Sequence, residues 1–310
     1  MSTKAKKFDL LVAGEINPDL ILSKPGLTPE FGQTELLVDN EELVIGSSSS
    51  IHACGAARLG LKVAIIGVVG DDAFGQFMLN ALEARGVDTS FVIVDKKIKT
   101  GLSVILSRGE DRAILTYLGG IAALRADQVT DDMLDTSRHL HIGHYFLQDA
   151  LRPGLAGLFE RAKQKGLSIS LDTNWDPEEK WEGVKELMPY LDIFYPNENE
   201  LLSLTGEQTI DDGIRSLKQR PKHVAVKLGS AGAAVYFDDQ VLRANSIKID
   251  PIADTVGAGD SFDAGFTYGY LHDWDLQKTL RLAVVCGALS LREHGGTASQ
   301  PTLDEAMQYM

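Results

Sequence analysis

The second half of the chain alternates between apolar runs typical of strands and longer amphipathic stretches typical of helices. The strand-like runs are 138–143, 167–172, 191–195 and 223–228, and the helix-like stretches are 151–165, 178–188, 198–204 and 210–219. Two parallel strands need a crossover connection, which is usually a helix. The alternation therefore predicts an α/β fold, a three-layer, doubly wound and mostly parallel sheet with helices on both faces.

The same patterns extend this sheet toward both ends of the chain. Further strands are predicted at 8–14, 62–69, 91–94, 233–237, 241–243 and 247–249. Further helices are predicted at 73–85, 258–272, 275–293 and 303–309, besides a small-residue helix that ends at Gly60. No internal repeat and no long linker divides the chain, so we expect one domain over residues 1–310.

One region departs from the alternation. Residues 101–107 and 112–118 flank Arg108-Gly109-Glu110-Asp111, which predicts a hairpin. Short strands are also predicted at 20–22 and 35–38. We expect segments of about 19–45 and 98–120 to form a small separate β-sheet beside the strand ends, where it would act as a lid. The alternative is an edge hairpin on the main sheet.

Charge and cysteine content limit the partners. The formal net charge is −14 and the sequence pI is near 4.9, which argues against nucleic acid or an anionic membrane as a partner. Cys54 and Cys286 have no metal-ligand or redox spacing, and the first residues lack an apolar signal segment. We expect a cytoplasmic protein that does not span a membrane.

The stretch from Asp254 to Phe262 combines two glycines with two carboxylates and opens a helix-like pattern. Free N–H groups at a helix N-terminus bind anions, and residues without bulky side chains let an anion approach them. Asp260 beside such a site is suited to take a proton from a hydroxyl that attacks a phosphate. The alternative is a glycine turn with an acid favoured by the helix dipole.

Polar residues follow several predicted strands at their carboxyl ends, where ligands bind in α/β sheets. Asn197 and Glu200 suit Mg²⁺, although their spacing also matches a helix capping box. Lys227 is placed to contact a phosphate or merely to end its strand, and Asn17 and Asp19 suit either a ligand or a turn. Together these clusters suit a nucleoside triphosphate with Mg²⁺. Neither a P-loop nor a dinucleotide-binding or nucleophile-elbow motif is present.

The order of these motifs resembles the ribokinase-like (PfkB-type) carbohydrate kinases. Residues 254–265 resemble the second signature of that family, Asn197-x-x-Glu200 its metal and phosphate motif, and residues 46–60 with 67–75 its first signature. The resemblance implies ATP-dependent phosphorylation of a sugar hydroxyl. The alternatives are a nucleoside kinase of the same fold and a non-catalytic sugar or nucleotide sensor.

The resemblance also implies roles for individual residues. Asp260 would be the general base, and the N–H groups of Gly257, Ala258 and Gly259 would hold the charge on the transferred phosphoryl group. The cofactors would be ATP, bound through Lys227, Gly229, Gly287, Asn197 and Glu200; Mg²⁺, held by Glu200 through water; and a monovalent cation such as K⁺ near Asp254. The sugar would contact Asp19, Asn17, Gly46, Ser47, Asp172 and Asn174.

The chain departs from the family pattern on the acceptor side. Ser47 and Ile51 stand where the first signature has glycine and asparagine, and Asp176 stands where many members have arginine. The resemblance therefore leaves the sugar open. We also expect a homodimer through the lid sheet, because Leu102, Val104, Leu106 and Ile114 alternate along its strands, although the sequence does not say which face would pair.

Overall fold

The computed structural model describes residues 6–108 and 111–310. The strands are β1 (Phe8–Ala13), β2 (Pro18–Ser23), β3 (Asn40–Ile45), β4 (Val63–Ile66), β5 (Val68–Gly70), β6 (Val87–Asp88), β7 (Ile93–Asp95), β8 (Leu102–Ser107), β9 (Arg112–Tyr117), β10 (Ser137–Ile142), β11 (Ser168–Leu171), β12 (Ile193–Phe194), β13 (His223–Lys227), β14 (Ala233–Phe237) and β15 (Gln240–Ala244). The α-helices are α1 (Ser48–Leu59), α2 (Ala73–Ala84), α3 (Asp131–Asp135), α4 (Leu155–Gln164), α5 (Glu198–Thr205), α6 (Ile210–Ser216), α7 (Ala258–Leu271), α8 (Leu276–Leu289) and α9 (Leu303–Met307).

A nine-stranded sheet forms the centre of the molecule, in the order β15-β14-β13-β12-β11-β10-β1-β4-β6. Its strands are parallel from β6 to β13, and only β14 and β15 run antiparallel at one edge. The predicted mostly parallel sheet is therefore confirmed. Because the strands share one direction, the polar residues that follow them collect at one edge of the sheet.

Helices cover both faces of this sheet. Along β1 the side chains alternate, with Leu11 and Ala13 in the core on one face and Leu10 and Val12 in the core on the other. The first face packs against α4, α5 and α6, and the second packs against α1, α7 and α8. Helices α7 and α8 lie unusually close, since a Cβ on Gly265 would stand 2.8 Å from the Cα of Ala283. This close packing fixes the position of the N-terminus of α7.

A separate four-stranded sheet has the order β3-β2-β8-β9. It is built from both predicted segments, so the alternative of an edge hairpin on the main sheet is wrong. The predicted turn at residues 108–111 lies partly outside the described residues, because the structure does not describe Gly109 and Glu110. Asp19 on β2, Ser103 on β8 and Thr116 on β9 are register partners and share one face of this sheet.

Three predicted elements are wrong in position or type. Residues 35–38 form no strand, and the strand that pairs with β2 is β3, at 40–45. Residues 247–249 form no strand either. Strand 62–69 is split between β4 and β5 at Gly67, where a Cβ would stand 2.4 Å from the oxygen of Gly14.

The predicted helix at 178–188 is also wrong. Only a 3-10 helix, Lys185–Tyr190, forms there. The Asp176 carboxylate accepts hydrogen bonds from the backbone N–H groups of Glu178, Lys180 and Trp181, which holds this segment in a turn. Among the described residues, no helix is long and apolar enough to cross a membrane.

Candidate active site

The N-terminus of α7 is open at the ligand edge of the sheet. Gly257 is its N-cap residue, with φ 71° and ψ 4°, and no side chain caps it. A Cβ on Gly257 would stand 2.7 Å from the Cα of Gly296 and 2.9 Å from Cγ2 of Ile51. Glycine at this position therefore allows both the left-handed backbone and the close approach. The N–H groups that follow are left for a ligand, as expected for an anion site.

Asp260 lies in the first turn of α7 and is 8% exposed. Burial, with the nearby charge of Asp172, raises its pKa to about 7, although Lys227 and a hydrogen bond from Ser48 lower it. A carboxyl group with a pKa near 7 is a stronger base than an ordinary aspartate and is still ionised in half of the molecules at that pH. Asp260 is thus suited to general-base catalysis near neutral pH.

A buried ion cluster lies beneath the loop. Lys227 Nζ is 2.8 Å from Asp172 Oδ2 and 3.4 Å from both carboxylate oxygens of Asp263. A Cβ on Gly259 would stand 3.4 Å from this ammonium group. The charges of Asp172 and Asp263 outweigh burial and raise the pKa of Lys227. Lys227 therefore supplies positive charge under the phosphate-binding turn.

Asp263 is a residue that the sequence analysis missed. Burial raises its pKa well above the usual range, whereas Lys227 outweighs burial at Asp172 and lowers the pKa there. Carboxylate oxygens of Asp172, Asp260 and Asp263 lie within 4.8 Å of one another, a spacing that suits a metal ion. Because Lys227 already contacts two of the three, we assign the cluster to this lysine. The signal was the i, i+3 spacing of Asp260 and Asp263, which places both on one face of α7.

Three of the five predicted nucleotide residues line one cavity of about 560 Å³ between the turn at Gly229, the segment 246–252 and the helices α7 and α8, whereas Asn197 and Glu200 are not part of its wall. Lys227, Gly229 and Gly287 all contribute to its wall. The remaining wall is largely apolar and includes Ile247, Ile249, Ile252, Phe262, Val284 and Leu291. A cavity of this size that meets an open helix N-terminus suits a nucleotide, with its phosphates at the helix.

Asn197 and Glu200 form the capping box that their spacing allowed. The Asn197 N–H donates to Glu200 Oε2 at 2.8 Å, and the Glu200 N–H donates to Asn197 Oδ1 at 2.9 Å. Glu200 is 5% exposed, and burial with the Asp172 charge raises its pKa. The capping role is compatible with metal binding, because the described residues offer no donor to the second carboxylate oxygen of Glu200.

Asp19 and Gly46 lie together at the end of the small sheet where β2 begins and β3 ends. Burial, with the charge of Asp260, raises the pKa of Asp19 to about 7. A Cβ on Gly46 would stand 2.1 Å from Asp19 Oδ1, so only glycine leaves room for this carboxylate. Asn17 Nδ2 is 3.5 Å from the same oxygen. Three of the predicted acceptor residues are thus brought together near Asp260.

The remaining predicted acceptor residues have mainly structural contacts. Ser47 has φ 67°, a conformation that favours glycine, and its Oγ donates to the backbone carbonyl oxygen of Glu15 at 2.8 Å. Asn174 Nδ2 donates to Ser48 Oγ. Because Ser48 also contacts Asp260, this serine links Asn174 to the Asp260 carboxyl group. Asp172 is 1% exposed and pairs with Lys227, so its carboxylate is already engaged.

Asp254, predicted to lie near a monovalent cation, connects three segments. It accepts hydrogen bonds from the N–H groups of Val256 at 3.0 Å and Gly295 at 3.1 Å. Arg112 Nη1, on the small sheet, is 3.7 Å from Asp254 Oδ1 and 3.3 Å from Thr255 Oγ1. The small sheet therefore contacts the catalytic loop directly.

Replacing Gly257 by alanine tests the turn. A non-glycine residue at positive φ costs about 1 kcal/mol, and the added Cβ also clashes with backbone at Gly296. We expect a lower melting temperature and a turnover number reduced by about tenfold or more, because the phosphate-binding N–H groups move. Gly166→Ala is a matched control, since Gly166, in the turn after α4, also has positive φ but has no atom within 4 Å of an added Cβ. Equal turnover of both variants would contradict the assignment.

Comparison with known proteins identifies the family. The model described as "pfkB family carbohydrate kinase" matches residues 7–303, so the chain belongs to the pfkB family of carbohydrate kinases. The chain is 29% identical to the probable fructokinase-2 of Arabidopsis thaliana over 95% of this chain and 96% of that protein. It is 28% identical to the 5-dehydro-2-deoxygluconokinase of Geobacillus thermodenitrificans over 86% of this chain and 84% of that protein.

A solved structure confirms the fold. The crystal structure of a putative ribokinase II from E. coli, in its apo form, matches with a TM-score of 0.86 and 25% identity, covering 97% of this chain and 98% of that chain. The predicted ribokinase-like fold and carbohydrate kinase class are confirmed. The chain is a phosphotransferase that acts on a sugar hydroxyl, with ATP and Mg²⁺ as the family's donor and cofactor.

Proposed function

We propose that the chain transfers the γ-phosphoryl group of ATP to a hydroxyl of a monosaccharide or sugar derivative, with Asp260 as the general base. The observation that carries this proposal is the buried Asp260 carboxyl, with its pKa near 7, directly beside the uncapped N-terminus of α7. A hydroxyl held by Asp260 would lose its proton as its oxygen attacks the phosphorus atom. The leaving group is ADP, and the proton passes to the carboxylate.

The surrounding residues would stabilise the charge that develops during transfer. The N–H groups of Gly257, Ala258 and Gly259 would donate to the phosphoryl oxygens, and Lys227 would add positive charge from below. Bound Mg²⁺ would neutralise charge on the phosphates, held by Glu200 through water beside Asn197. A monovalent cation near Asp254 would support the loop. It would lie beside Arg112, whose Nη1 is 3.7 Å from Asp254 Oδ1.

The small sheet would act as the lid of this single domain. Its strand β2 carries Asp19, which would contact the acceptor. Its strand β9 carries Arg112, which contacts Asp254 of the loop before α7. Movement of the sheet toward α7 would bring Asp19 onto the acceptor and exclude water, which would otherwise accept the phosphoryl group.

A screen of acceptors tests the proposed function. ATP consumption is measured with neutral monosaccharides, sugar acids and nucleosides, because the relatives are named for different sugars. A sugar that is phosphorylated at least about a hundredfold faster than water would support the proposal. A nucleoside as the best acceptor would favour the nucleoside kinase alternative. Tight sugar binding without turnover of any acceptor would favour a sensor.

We propose that two copies pair through the outer face of the small sheet. Arg112 and Asp19 face the site, so by alternation Leu115 and Tyr117 on β9, with Leu102, Val104 and Leu106 on β8, face away from it. Leu115 and Tyr117 are 62% and 55% exposed. An apolar sheet face of this kind usually marks an interface. Ile114 lies on the opposite, site-facing side.

This dimer predicts different effects for two neighbouring substitutions. Leu115→Glu places a charge in the proposed interface and should shift the mass in solution from twice 33.7 kDa to 33.7 kDa. Ile114→Glu is the matched control, because Ile114 is 53% exposed on the other face and should leave the dimer intact. The masses are measured by light scattering after gel filtration. A monomeric wild-type protein at micromolar concentration would refute the interface.

Location and other partners are part of the same proposal. Cys54 and Cys286 are buried free thiols, which supports a reducing, cytoplasmic location. The net charge of −14 supports neither nucleic acid nor an anionic membrane as a partner.

A further inference from the structure

One ion pair on the acceptor side has no part in the proposed mechanism. Strands β1 and β10 are parallel neighbours, with Ala13 opposite Ile142, and Glu15 and His144 each follow two residues past that matched pair. His144 Nδ1 is 3.7 Å from Glu15 Oε1. The Glu15 side chain is 1% exposed, whereas that of His144 is 24% exposed. The imidazole therefore connects a buried carboxylate to the open edge of the sheet.

The carboxylate of this pair is rigidly held. The N–H of Ser49 donates to Glu15 Oε1 at 3.1 Å, and Ser49 Oγ donates to Glu15 Oε2 at 2.7 Å. A Cβ on Gly14 would stand 2.0 Å from Ser49 Oγ, and a Cβ on Gly143 would stand 2.8 Å from it. Glycine at both strand ends thus lets the start of α1 press onto Glu15. Such a tightly packed arrangement fixes the charge in one place.

The backbone at His144 is also unusual. Its φ of 48° and ψ of 53° place it in the left-handed region, which a non-glycine residue occupies at a cost. Residues held in this region cluster at functional sites, because the surrounding structure must enforce the conformation. Here, just past the carboxyl end of β10, the conformation of His144 directs its imidazole toward Glu15.

The charges that face His144 come from three elements. They are Glu15 after β1, Asp172 after β11 and Asp260 on α7. Burial alone would lower the pKa of His144, but the nearby Glu15 carboxylate, with the charges of Asp172 and Asp260, outweighs it and raises that pKa. Burial would likewise raise the pKa of Glu15, but His144 and Ser49 outweigh it and lower that pKa. Both shifts favour an imidazolium paired with a carboxylate.

We propose that His144, held by Glu15, selects an acceptor sugar that carries a carboxylate. Nδ1 faces Glu15 Oε1 at 3.7 Å, and the described residues offer Nε2 no hydrogen-bond acceptor, so one charged N–H donor is left for the ligand. A single donor of this kind matches one carboxylate oxygen. A phosphate dianion would bring more negative charge than a carboxylate into a site that already holds Asp19 and Asp260. The inference rests on the proposed function, because that function identifies this edge as the acceptor site.

The test compares acids with neutral polyols of the same carbon chain. Binding of D-gluconate against D-glucitol, and of D-ribonate against D-ribitol, is measured by calorimetry without ATP at pH 6.5. We expect at least one acid to bind about tenfold or more tightly than its neutral partner, since a hydrogen bond between charged groups exceeds one to a neutral group by that much. Equal binding of both members of each pair, or no binding of either acid, would overturn the proposal.

His144→Asn is the informative variant, because asparagine also adopts the left-handed backbone but carries no charge. It should abolish the preference for the acid and leave the dissociation constant of the neutral polyol unchanged. A variant that weakens both ligands equally would show a structural role only, and this would contradict the proposal. Glu15→Gln keeps an acceptor for Ser49, and it should make the acid preference disappear at a lower pH than in the wild type, because the pKa of His144 falls.

Turnover is measured separately with ATP. Acid binding that depends on His144, without phosphorylation of any acceptor, would refute the kinase function and keep the specificity assignment. Rapid phosphorylation of neutral sugars, without preference for an acid, would support the kinase function and refute the specificity assignment.

Discussion

Replacing Asp260 by asparagine is expected to lower the turnover number by a hundredfold or more while the acceptor and ATP still bind. General-base catalysis typically contributes about 10²–10⁴-fold, and the amide cannot accept the proton. In the wild-type enzyme, kcat/KM should fall as the pH drops below about 7, because protonation of Asp260, whose pKa is raised to about 7, removes the base. Steady-state rates of the wild type and the variant over pH 5.5–8.5 check the loss of turnover and the pH dependence. Equilibrium binding measurements show whether the variant still binds the acceptor and ATP. A loss of less than about tenfold would disprove the assignment.

The same substitution should stabilise the protein. The pKa of Asp260 is raised from 3.8 in a model peptide to about 7 in the fold, so the folded protein holds this proton more tightly than the unfolded chain. Ionised Asp260 therefore destabilises the fold increasingly as pH rises from about 4 to 7. Asp260→Asn should raise the melting temperature at pH 8 by a few degrees, about 2 °C for each kcal/mol, and should have little effect near pH 4. Ser261→Ala is a control for general disturbance of the helix. A variant that is both inactive and less stable at pH 8 would contradict the electrostatic explanation.

Replacing Lys227 by methionine is expected to have the largest effect on stability. The ammonium group is 14% exposed and is shared by Asp172 and Asp263, so its removal leaves buried carboxylates without a counter-charge. Breaking a buried ion pair from one side costs about 3–5 kcal/mol. Urea unfolding at pH 8 measures this loss, and the nucleotide affinity should fall with it, because Lys227 lines the nucleotide cavity.

The pH dependence separates this electrostatic explanation from a packing defect. Without Lys227 the pKa of Asp172 and Asp263 rises, and the folded variant takes up protons that the unfolded chain does not hold. The stability difference between wild type and variant should therefore be smaller at pH 5 than at pH 8. The double variant Lys227→Met with Asp172→Asn should recover part of the loss, since one of the uncompensated charges is gone. A loss of stability that is independent of pH would indicate that shape, not charge, is the cause.

Local patterns explain why the sequence predicted an uncapped helix N-terminus at residues 254–262. Two glycines before an acid and an amphipathic helix are neighbours in the chain, so their geometry follows from a few bonds. The capping box of Asn197 and Glu200 was predictable for the same reason. The main sheet followed from its helix–strand alternation, and the wrong helix at 178–188 shows the limit, because Asp176 binds three backbone N–H groups that a helix would have used.

Contacts between distant segments were not predictable. Lys227, Asp172 and Asp263 lie on separate elements, and only the three-dimensional structure shows that they share one ion cluster. The pair of Glu15 and His144 depends in the same way on β1 and β10 being neighbours, which no local signal indicates. Ser47 departs from the family pattern, and in the structure it has a positive φ, which glycine accommodates without strain.

The two sides of the site come from different parts of the chain. Every residue that lines the proposed nucleotide cavity lies at position 227 or later, whereas the acceptor-side residues described above, apart from Asp260, lie before position 177. Asp260 and its loop are where these parts meet. This arrangement would allow substitutions on the acceptor side to change the sugar while the donor side is retained. Relatives of similar identity are named for different sugars, as such an arrangement would permit.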